Sequence, residues 1–329
     1  MVKRIEVRVL SEQDIAASAP THREMIEIIE RTYRVCADED AVQVPTKIGV
    51  HPDFPGSFGH AMPAWIGPEQ ALGMKWITYY PGNSRSGLPD STGIMVLNDP
   101  DNGMPVAIME GMWITYARTA ACAAVAARHL SVPAPVRLGL VGCGGLGTWS
   151  LRMLGELFPS IAEVRVASRT RESRETFCRT MRAAGPWNLV PVDTNEEAVR
   201  GMDIVVSSIS KMGVPQALES WWSPGTLIIP LDVAGCWDNA TFELADRVIT
   251  DGYAAFLRAA ERSRPGLKLE TDRHVRMEDV VAGRAPGRIS PKERMIAIPT
   301  GVASVDMTLG WEIFRRAREA GRGTMVGLT

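Results

Sequence analysis

Residues 137–147 read RLGLVGCGGLG, an apolar run that enters a glycine-rich turn, and this stretch decides the fold. The apolar run predicts a buried strand, and residues 142–147 fit the GxGxxG spacing of a dinucleotide-binding turn. Gly142 permits a tight turn, Gly144 lets the backbone approach a pyrophosphate, and Gly147 lets helix and strand pack closely. The first amides of the helix then face the phosphates. An ordinary glycine-rich turn is the alternative, and the strand–turn–helix context favours the nucleotide.

The chain beyond this turn alternates short strands with helices. The predicted strands are Arg137–Val141, Val164–Ala167, Leu189–Val192, Asp203–Ile209, Thr226–Leu231 and Arg247–Thr250. The predicted helices run from the turn to about Leu157, from Arg171 to Ala184, and onward from a capping box of Thr194 and Glu197. Strands that alternate with helices pair in parallel and are covered on both faces. The sequence therefore predicts an α/β fold with a Rossmann-type doubly wound parallel sheet.

The stretch before the turn has a different character. Two prolines in SVPAPV, residues 131–136, separate the regular part from a region of turns, short strands and one helix near Thr21–Val35. This α+β region has long loops, which often carry binding groups. The amphipathic segment Ser304–Ala320 predicts a helix that returns to it, making the α+β domain discontinuous. A chain of 329 residues is also long enough for two cores. The predicted divisions are 1–130, 131–300 and 301–329.

The composition excludes several classes of partner. With 36 basic and 38 acidic residues the formal net charge is −2, so no overall field favours nucleic acid or an anionic membrane. The five cysteines are an odd number without a CxxC pair, which favours reduced thiols over a zinc cluster or a disulfide framework. Residues 1–10 lack the apolar core of a signal peptide, and no transmembrane segment is visible. We therefore expect a cytoplasmic protein.

The end of the second predicted strand indicates which nucleotide binds. An acidic residue there would accept the free 2′-hydroxyl of the adenosine ribose in NAD(H). This chain instead has Ser168-Arg169-Thr170 followed by Arg171, and an arginine with small hydroxyls suits a 2′-phosphate. The sequence therefore favours NADP(H), with NAD(H) as the alternative. A solvated helix start would also explain the two arginines.

Arg118 stands near the start of an alanine-rich helix that ends near Leu130. Thr115 is the predicted N-cap, which places Arg118 in the first turn, where a cation is mildly unfavourable. An arginine beside a helix N-terminus is a place for an anion, such as a substrate carboxylate or a cofactor phosphate. The alternative is an ion pair with a nearby acid such as Glu110.

Several segments, in their order along the chain, resemble one protein family. They are Met62-Pro63, GMKWITYYPGN at 73–83, Gly103-x-Pro105, EGMWITYARTAACAAVAARHL at 110–130, GCGGLG at 142–147 and Gly301-x-Ala303-x-x-Asp306. Together they resemble the ornithine cyclodeaminase/mu-crystallin family over nearly the full length. Residues 87–111 are most similar to the branch that acts on amino-acid conjugates in 2,3-diaminopropionate and siderophore biosynthesis.

The resemblance implies a Rossmann domain beside a substrate-binding and dimerisation domain, and hence a homodimer. It also implies an NAD(P)-dependent oxidoreductase that reduces an imine or dehydrogenates an amino acid at the C–N bond next to a carboxylate. Lys75 and Arg118 would hold that carboxylate. Lys47 stands where the family usually has another arginine. A lysine there offers a point charge and loses bidentate geometry.

Two residues are candidates for catalytic roles, and both assignments are hypotheses. Lys75 would relay a proton, because neighbouring cations depress the pKa of a lysine. Asp232 would polarise the amine or activate water, and Asp238 is the alternative because the glycine that precedes the family's aspartate is absent. The predicted cofactor-binding residues are Thr119, Gly142, Gly144, Gly145, Leu146, Gly147, Ser168, Arg169, Thr170, Ser207 and Ser208.

Other functions stay open at this level. An opine-like N-(carboxyalkyl) amino acid synthase or oxidative hydrolase would use the same residues, and a cyclodeaminase is disfavoured by the missing glycine before Asp232. A non-enzymic NADPH carrier would not need Lys75 and Arg118. His51 is a further candidate proton donor, although loop histidines more often face solvent. No spacing of His, Asp and Glu resembles a metal site.

Overall fold

The computed structural model describes residues 4–209, 216–232, 235–263, 267 and 273–329, and the chain forms two compact units. Unit 1 combines the chain up to Arg118 with Val302–Thr329, and unit 2 is Thr119–Gly301. None of the described helices has the length and apolar character needed to cross a bilayer.

The secondary structure of the described residues is as follows in chain order. The strands are β1 (Glu6–Leu10), β2 (Val42–Gln43), β3 (Ile48–Val50), β4 (Phe58–Ile66), β5 (Ala71–Tyr79), β6 (Ser91–Asn98), β7 (Pro105–Glu110), β8 (Arg137–Val141), β9 (Glu163–Ala167), β10 (Asn188–Pro191), β11 (Ile204–Ser207), β12 (Leu227–Pro230), β13 (Arg247–Thr250), β14 (His274–Arg276), β15 (Met295–Ile298) and β16 (Thr324–Gly327). The helices are α1 (Glu12–Ser18), α2 (His22–Cys36), α3 (Met112–Leu130), α4 (Gly145–Leu157), α5 (Arg171–Met181), α6 (Asn195–Val199), α7 (Asn239–Leu244), α8 (Tyr253–Ser263), α9 (Met277–Val281) and α10 (Ala303–Glu319).

Unit 1 is built on a mixed sheet of order β16-β1-β7-β6-β5-β4-β2, with β3 also paired to β4. Only the β1–β7 pair in this described sheet is parallel. Side chains alternate across β5, so Gly73 and Lys75 face the buried side. Helix α10 packs over β4 and β5 on that side.

Two glycines let α10 approach the sheet closely. A Cβ on Gly73 would lie 2.4 Å from the carbonyl oxygen of Val96 and 3.0 Å from the sulfur of Met307. A Cβ on Gly310 would lie 2.5 Å from the terminal methyl of Met95. Larger residues would therefore push the helix away from the strand that carries Lys75.

Unit 2 confirms the predicted parallel α/β sheet. Its strand order is β10-β9-β8-β11-β12-β15-β13-β14, and every neighbouring pair is parallel. From β8 the chain first adds β9 and β10 on one side and then crosses to add β11 and β12 on the other side. The switch point of the sheet therefore lies between β8 and β11. Ligands of such sheets bind outside the carboxyl ends of the strands at this point.

The predicted N-cap of α3 is wrong. The helix begins at Met112, three residues before Thr115. The carboxylate of Glu110 accepts hydrogen bonds from the backbone amides of Met112 and Trp113, at 2.5 and 2.9 Å, and so satisfies the first turn. The Thr115 hydroxyl donates instead to the carbonyl of Gly111, inside the helix. Arg118 consequently lies in the second turn, where the helix dipole acts on it less.

Candidate functional site

Three charged side chains from distant parts of the sequence meet inside unit 1. The Lys75 ammonium on β5 donates to Oδ1 of Asp306 on α10 at 2.7 Å. Nε of Arg118 on α3 donates to the same oxygen at 2.9 Å. The structure thus joins two predicted substrate-binding residues through an aspartate to which the sequence assigned no role.

This cluster is almost completely withdrawn from solvent. The side chains of Lys75 and Asp306 are fully buried, and that of Arg118 is 8% exposed. Burial would raise the pKa of Asp306, but Arg118 and Lys75 outweigh it and hold that pKa below its usual range. The carboxylate is therefore ionised, and the cluster contains two candidate cations for one anion.

Lys75 is the member whose proton is held least firmly. Burial and the charge of Arg118 lower its pKa, Asp306 opposes both, and the net result is a pKa of about 7. Lys47, which precedes β3, also lowers the pKa of Lys75 and is partly exposed. Lys75 can therefore gain or lose a proton near neutral pH.

The hydrogen bonds of Lys75 leave one of its three protons without a described acceptor. Besides the bond to Asp306, its ammonium donates to the Thr115 hydroxyl at 3.3 Å. An ammonium carries three protons. Within the part of the chain that the structure describes, these two bonds are the ones that Lys75 makes, so its third proton is available to an anion.

Sequence reasoning missed Asp306, although a signal was present. Its helix α10 is mostly apolar on the side that packs inward, where Leu309, Gly310 and Ile313 are also buried. These three residues follow Asp306 at helical spacing, which places the aspartate on the apolar face. An acid on such a face needs a buried cation, and this requirement points to a partner inside unit 1.

The glycine turn of unit 2 has the geometry of a phosphate cradle. Gly142 has φ of +109°, and its amide donates to the carbonyl of Ala167 at 2.9 Å. A Cβ on Gly147 would lie 2.6 Å from the carbonyl oxygen of Gly142, so helix and turn meet at that point. A Cβ on Gly144 would meet nothing within 4 Å, and Gly144 has no side chain to cap α4.

The amides that open α4 therefore lack a capping side chain. Gly145, Leu146 and Gly147 supply the first of them. Free amides at a helix start attract an anion, and the open space before Gly144 admits one. The residues fit the pyrophosphate of a dinucleotide.

The loop after β9 is held in place by several hydrogen bonds. The Ser168 hydroxyl donates to the carbonyl of Thr170, and Arg174 donates to the carbonyl of Ser168, at 2.8 and 3.4 Å. Arg171 pairs with Glu175 one turn along α5. Arg169 is exposed and makes no ion pair or hydrogen bond with the described residues, so of the two predicted arginines it is the one available to a phosphate.

Of the two candidate aspartates, only Asp232 lies at the carboxyl edge of the parallel sheet. It follows β12 and accepts a hydrogen bond from the amide of Ile209, which follows β11, at 3.3 Å. Asp238 instead caps α7, accepting from the amide and hydroxyl of Thr241 at 3.0 and 2.5 Å. The capping of α7 is therefore a sufficient structural reason for an aspartate at position 238.

The remaining predicted residues fall into different settings. The Ser207 hydroxyl is buried and accepts from the indole of Trp237 at 3.1 Å, whereas Ser208 adjoins the Gly142 turn. Thr119 is buried on α3. The rings of His51 and His60 lie edge to face, with 6.3 Å between their centroids.

Comparison with known proteins gives consistent results. The family model described as ornithine cyclodeaminase/mu-crystallin family matches residues 6–321. The nodulation efficiency protein NfeD of Rhizobium meliloti is 32% identical over 322 residues, covering 97% of this chain and 98% of that protein. The N-((2S)-2-amino-2-carboxyethyl)-L-glutamate dehydrogenase of Staphylococcus aureus is 27% identical over 98% of this chain and 99% of its own length.

A solved structure shares the fold. The Thermococcus litoralis Delta(1)-pyrroline-2-carboxylate reductase, in complex with NADH and L-proline, matches with a TM-score of 0.89 and 24% identity. The match covers 97% of this chain and 99% of that chain. The segments that resemble the family in the sequence all lie within the residues that the family model matches. This chain belongs to the ornithine cyclodeaminase/mu-crystallin family.

Proposed function

We propose that this chain is an NAD(P)-dependent oxidoreductase acting on the C–N bond of an amino acid or α-imino acid. The observation that carries the proposal is the buried cluster in which Lys75 and Arg118 share one carboxylate oxygen of Asp306. A buried excess of cations is costly unless an anion joins it. The α-carboxylate of an amino acid is an anion of the right size and charge.

Each residue of the cluster has a distinct role in this proposal. Arg118 binds the substrate carboxylate, and the third proton of the Lys75 ammonium adds a charge-assisted hydrogen bond. Lys47 adds a further positive charge near Lys75, which also favours substrates with a second carboxylate. Because its pKa is about 7, Lys75 can pass a proton to or from the substrate nitrogen at neutral pH.

On the nucleotide side, the amides of α4 bind the pyrophosphate and Asp232 acts on the amine or on water. The nicotinamide, when bound, supplies or accepts the hydride. Arg169 is exposed and without a described partner, which supports NADP(H) as the preferred cofactor over NAD(H).

The two proposed binding roles belong to different parts of the chain. Residues 1–130 with 301–329 form the substrate-binding and dimerisation domain, and residues 131–300 bind the nucleotide. We propose a cytoplasmic homodimer. Light scattering of the purified protein tests the dimer, and a mass of one 35.9 kDa chain contradicts it.

The activity itself is tested by following oxidation of NADPH and NADH. Each nucleotide is incubated with 2-oxo acids, including dicarboxylic ones, together with ammonia, a primary amine or an amino acid. We expect oxidation that requires both the oxo acid and the nitrogen donor. Turnover with ammonia indicates a simple dehydrogenase, whereas turnover only with an amino acid indicates an opine-like enzyme.

Tight nucleotide binding without oxidation for any pair would contradict the enzyme and favour the carrier. The Lys75→Met variant is the matched control. It retains nucleotide binding and loses turnover, because its uncharged side chain cannot bind a carboxylate or move a proton.

A further inference from the structure

We propose that Asp306 is a positioning residue of this site, whose single oxygen Oδ1 holds the Lys75 ammonium and the Arg118 guanidinium side by side for the substrate carboxylate. The inference rests on the proposed function. It assigns a task to a residue that acts through the two cations that it binds.

The geometry supports this task. The two hydrogen bonds, 2.7 and 2.9 Å long, end on one atom, so the two cationic nitrogens lie no farther apart than the sum of these lengths. Two like charges this close repel strongly in a buried place, and only a shared anion keeps them together. Without Asp306, the side chains would separate or Lys75 would lose its proton.

The atoms that make these contacts show how Asp306 holds the two cations. Arg118 reaches Asp306 through Nε, so the aspartate fixes the guanidinium at that atom. Lys75 keeps its third proton. Asp306 thus fixes the position of both cationic groups.

The second oxygen of Asp306 supports a role for its charge. Oδ2 is buried and accepts no hydrogen bond from the described residues. A neutral side chain would hold α10 in place at lower cost, because it would not leave a charged oxygen unsatisfied. The negative charge therefore serves the two cations more than it serves the packing of the helix.

The test uses Asp306→Asn, which keeps the shape of the side chain and removes its charge. Loss of a residue that orients a binding group from behind commonly costs about 10- to 100-fold in activity, and we expect a loss of this size in kcat/KM. The loss should increase with pH. Asp306 raises the pKa of Lys75 against burial and against Arg118 and Lys47, so without that charge Lys75 is protonated only at lower pH.

Two further variants separate this role from a purely structural one. Thr308→Val is the matched control on α10, because Thr308 is buried and bonds to Thr32 but has no described contact with Lys75 or Arg118. It should keep the wild-type pH profile. Asp306→Glu, which keeps the negative charge, should keep the alkaline limb of the kcat/KM profile closer to its wild-type pH than Asp306→Asn does.

The outcomes are distinct. An alkaline limb of the kcat/KM profile shifted to lower pH in Asp306→Asn, with NADPH affinity retained, supports the inference. An active wild type with an Asp306→Asn profile of unchanged shape overturns it, even if the whole profile is lower. A wild type that oxidises neither nucleotide with any substrate pair overturns the proposed function, and the role of Asp306 in it as well.

Discussion

At the scale of single residues, the proposed function depends most on the geometry of the Arg118 side chain. Its guanidinium is planar and offers paired donors, whereas a lysine would offer only a point charge. The sequence predicted an anion-binding arginine here but proposed the wrong cause. Asp306, rather than the helix N-terminus, holds the side chain.

We therefore predict that Arg118→Lys lowers kcat/KM for the oxo acid by about 100-fold, the scale expected when a buried charged contact is disrupted. Much of this loss should appear in KM, because carboxylate binding is affected directly. Steady-state kinetics give the result. Arg31→Lys is the control, because Arg31 pairs with Glu69 at an exposed position, and it should leave both constants unchanged.

The two candidate aspartates give a second prediction at this scale. Asp232→Ala should lower kcat while leaving thermal stability nearly unchanged. Asp238→Ala should cost about 1 kcal/mol of the free energy of unfolding through loss of the α7 cap and leave kcat unchanged. Urea denaturation and steady-state kinetics on both variants decide the matter. The opposite pattern would make Asp238 the catalytic residue.

Single residues also mark the limit of sequence reasoning. Lys75 and Arg118 could be predicted because the motifs around them resemble a family. Gly142 could be predicted because the GxGxxG spacing requires a glycine at the tight turn after the strand. The pairing of Asp306 with residues 231 and 188 positions earlier depends on how α10 packs on the sheet. Local patterns do not contain that information.

At the scale of elements, the turn between β8 and α4 contains two glycines that are needed for different reasons. Gly147 is needed because a Cβ there would collide with the backbone of Gly142. Gly144 has open space beside it, so the fold itself does not require a glycine. Only an approaching ligand explains that residue.

We predict that Gly144→Ala leaves the melting temperature unchanged but weakens NADPH binding, because the added methyl occupies the space that the pyrophosphate would enter. Gly147→Ala should lower the melting temperature as well. Nucleotide fluorescence titration and thermal unfolding give the two readouts. Unchanged NADPH affinity in Gly144→Ala would contradict the assignment of the phosphate site.

The loop after β9 gives the prediction for cofactor preference. Arg169→Ala should lower the ratio of kcat/KM for NADPH to that for NADH by about tenfold or more, the scale of one charge-assisted contact. Arg171→Ala is a matched control, because that arginine is already paired with Glu175, and it should change the ratio little. A wild type that prefers NADH would refute the proposed preference itself.

The start of α3 illustrates why element boundaries are hard to predict. Thr115 and Glu110 are both acceptable capping residues, and local sequence does not rank them. The Glu110 carboxylate accepts from two amides of the first turn, whereas the Thr115 hydroxyl donates to the carbonyl of Gly111, so the helix begins earlier. Strand β15 was missed for a similar reason, since four apolar residues between Arg294 and Pro299 have no clear period.

At the scale of the whole molecule, stability should depend on pH through a group outside the proposed site. Glu278 on α9 is 7% exposed. Burial, with a smaller contribution from the charge of Asp251, raises its pKa from 4.5 to about 7. Between these values the folded chain binds a proton that the unfolded chain has lost, so this residue makes stability fall as pH rises from about 4.5 to 7.

We predict that Glu278→Gln removes this dependence. Its free energy of unfolding should match the wild type near pH 4.5 and exceed it by up to about 3 kcal/mol above pH 7. Urea denaturation across this range measures the difference, and the exposed substitution Glu172→Gln should follow the wild type. Parallel curves for Glu278→Gln and wild type would contradict the shifted pKa.

The distribution of the site along the chain has a consequence for biosynthesis. Asp306 follows Arg118 by 188 residues, and the sequence of unit 2 lies between them. A ribosome therefore releases two cations of unit 1 long before their shared anion, while the contiguous unit 2 is complete first and can fold as a unit. The nascent chain therefore holds the complete glycine turn of unit 2 while Lys75 and Arg118 of unit 1 still lack the aspartate that joins them.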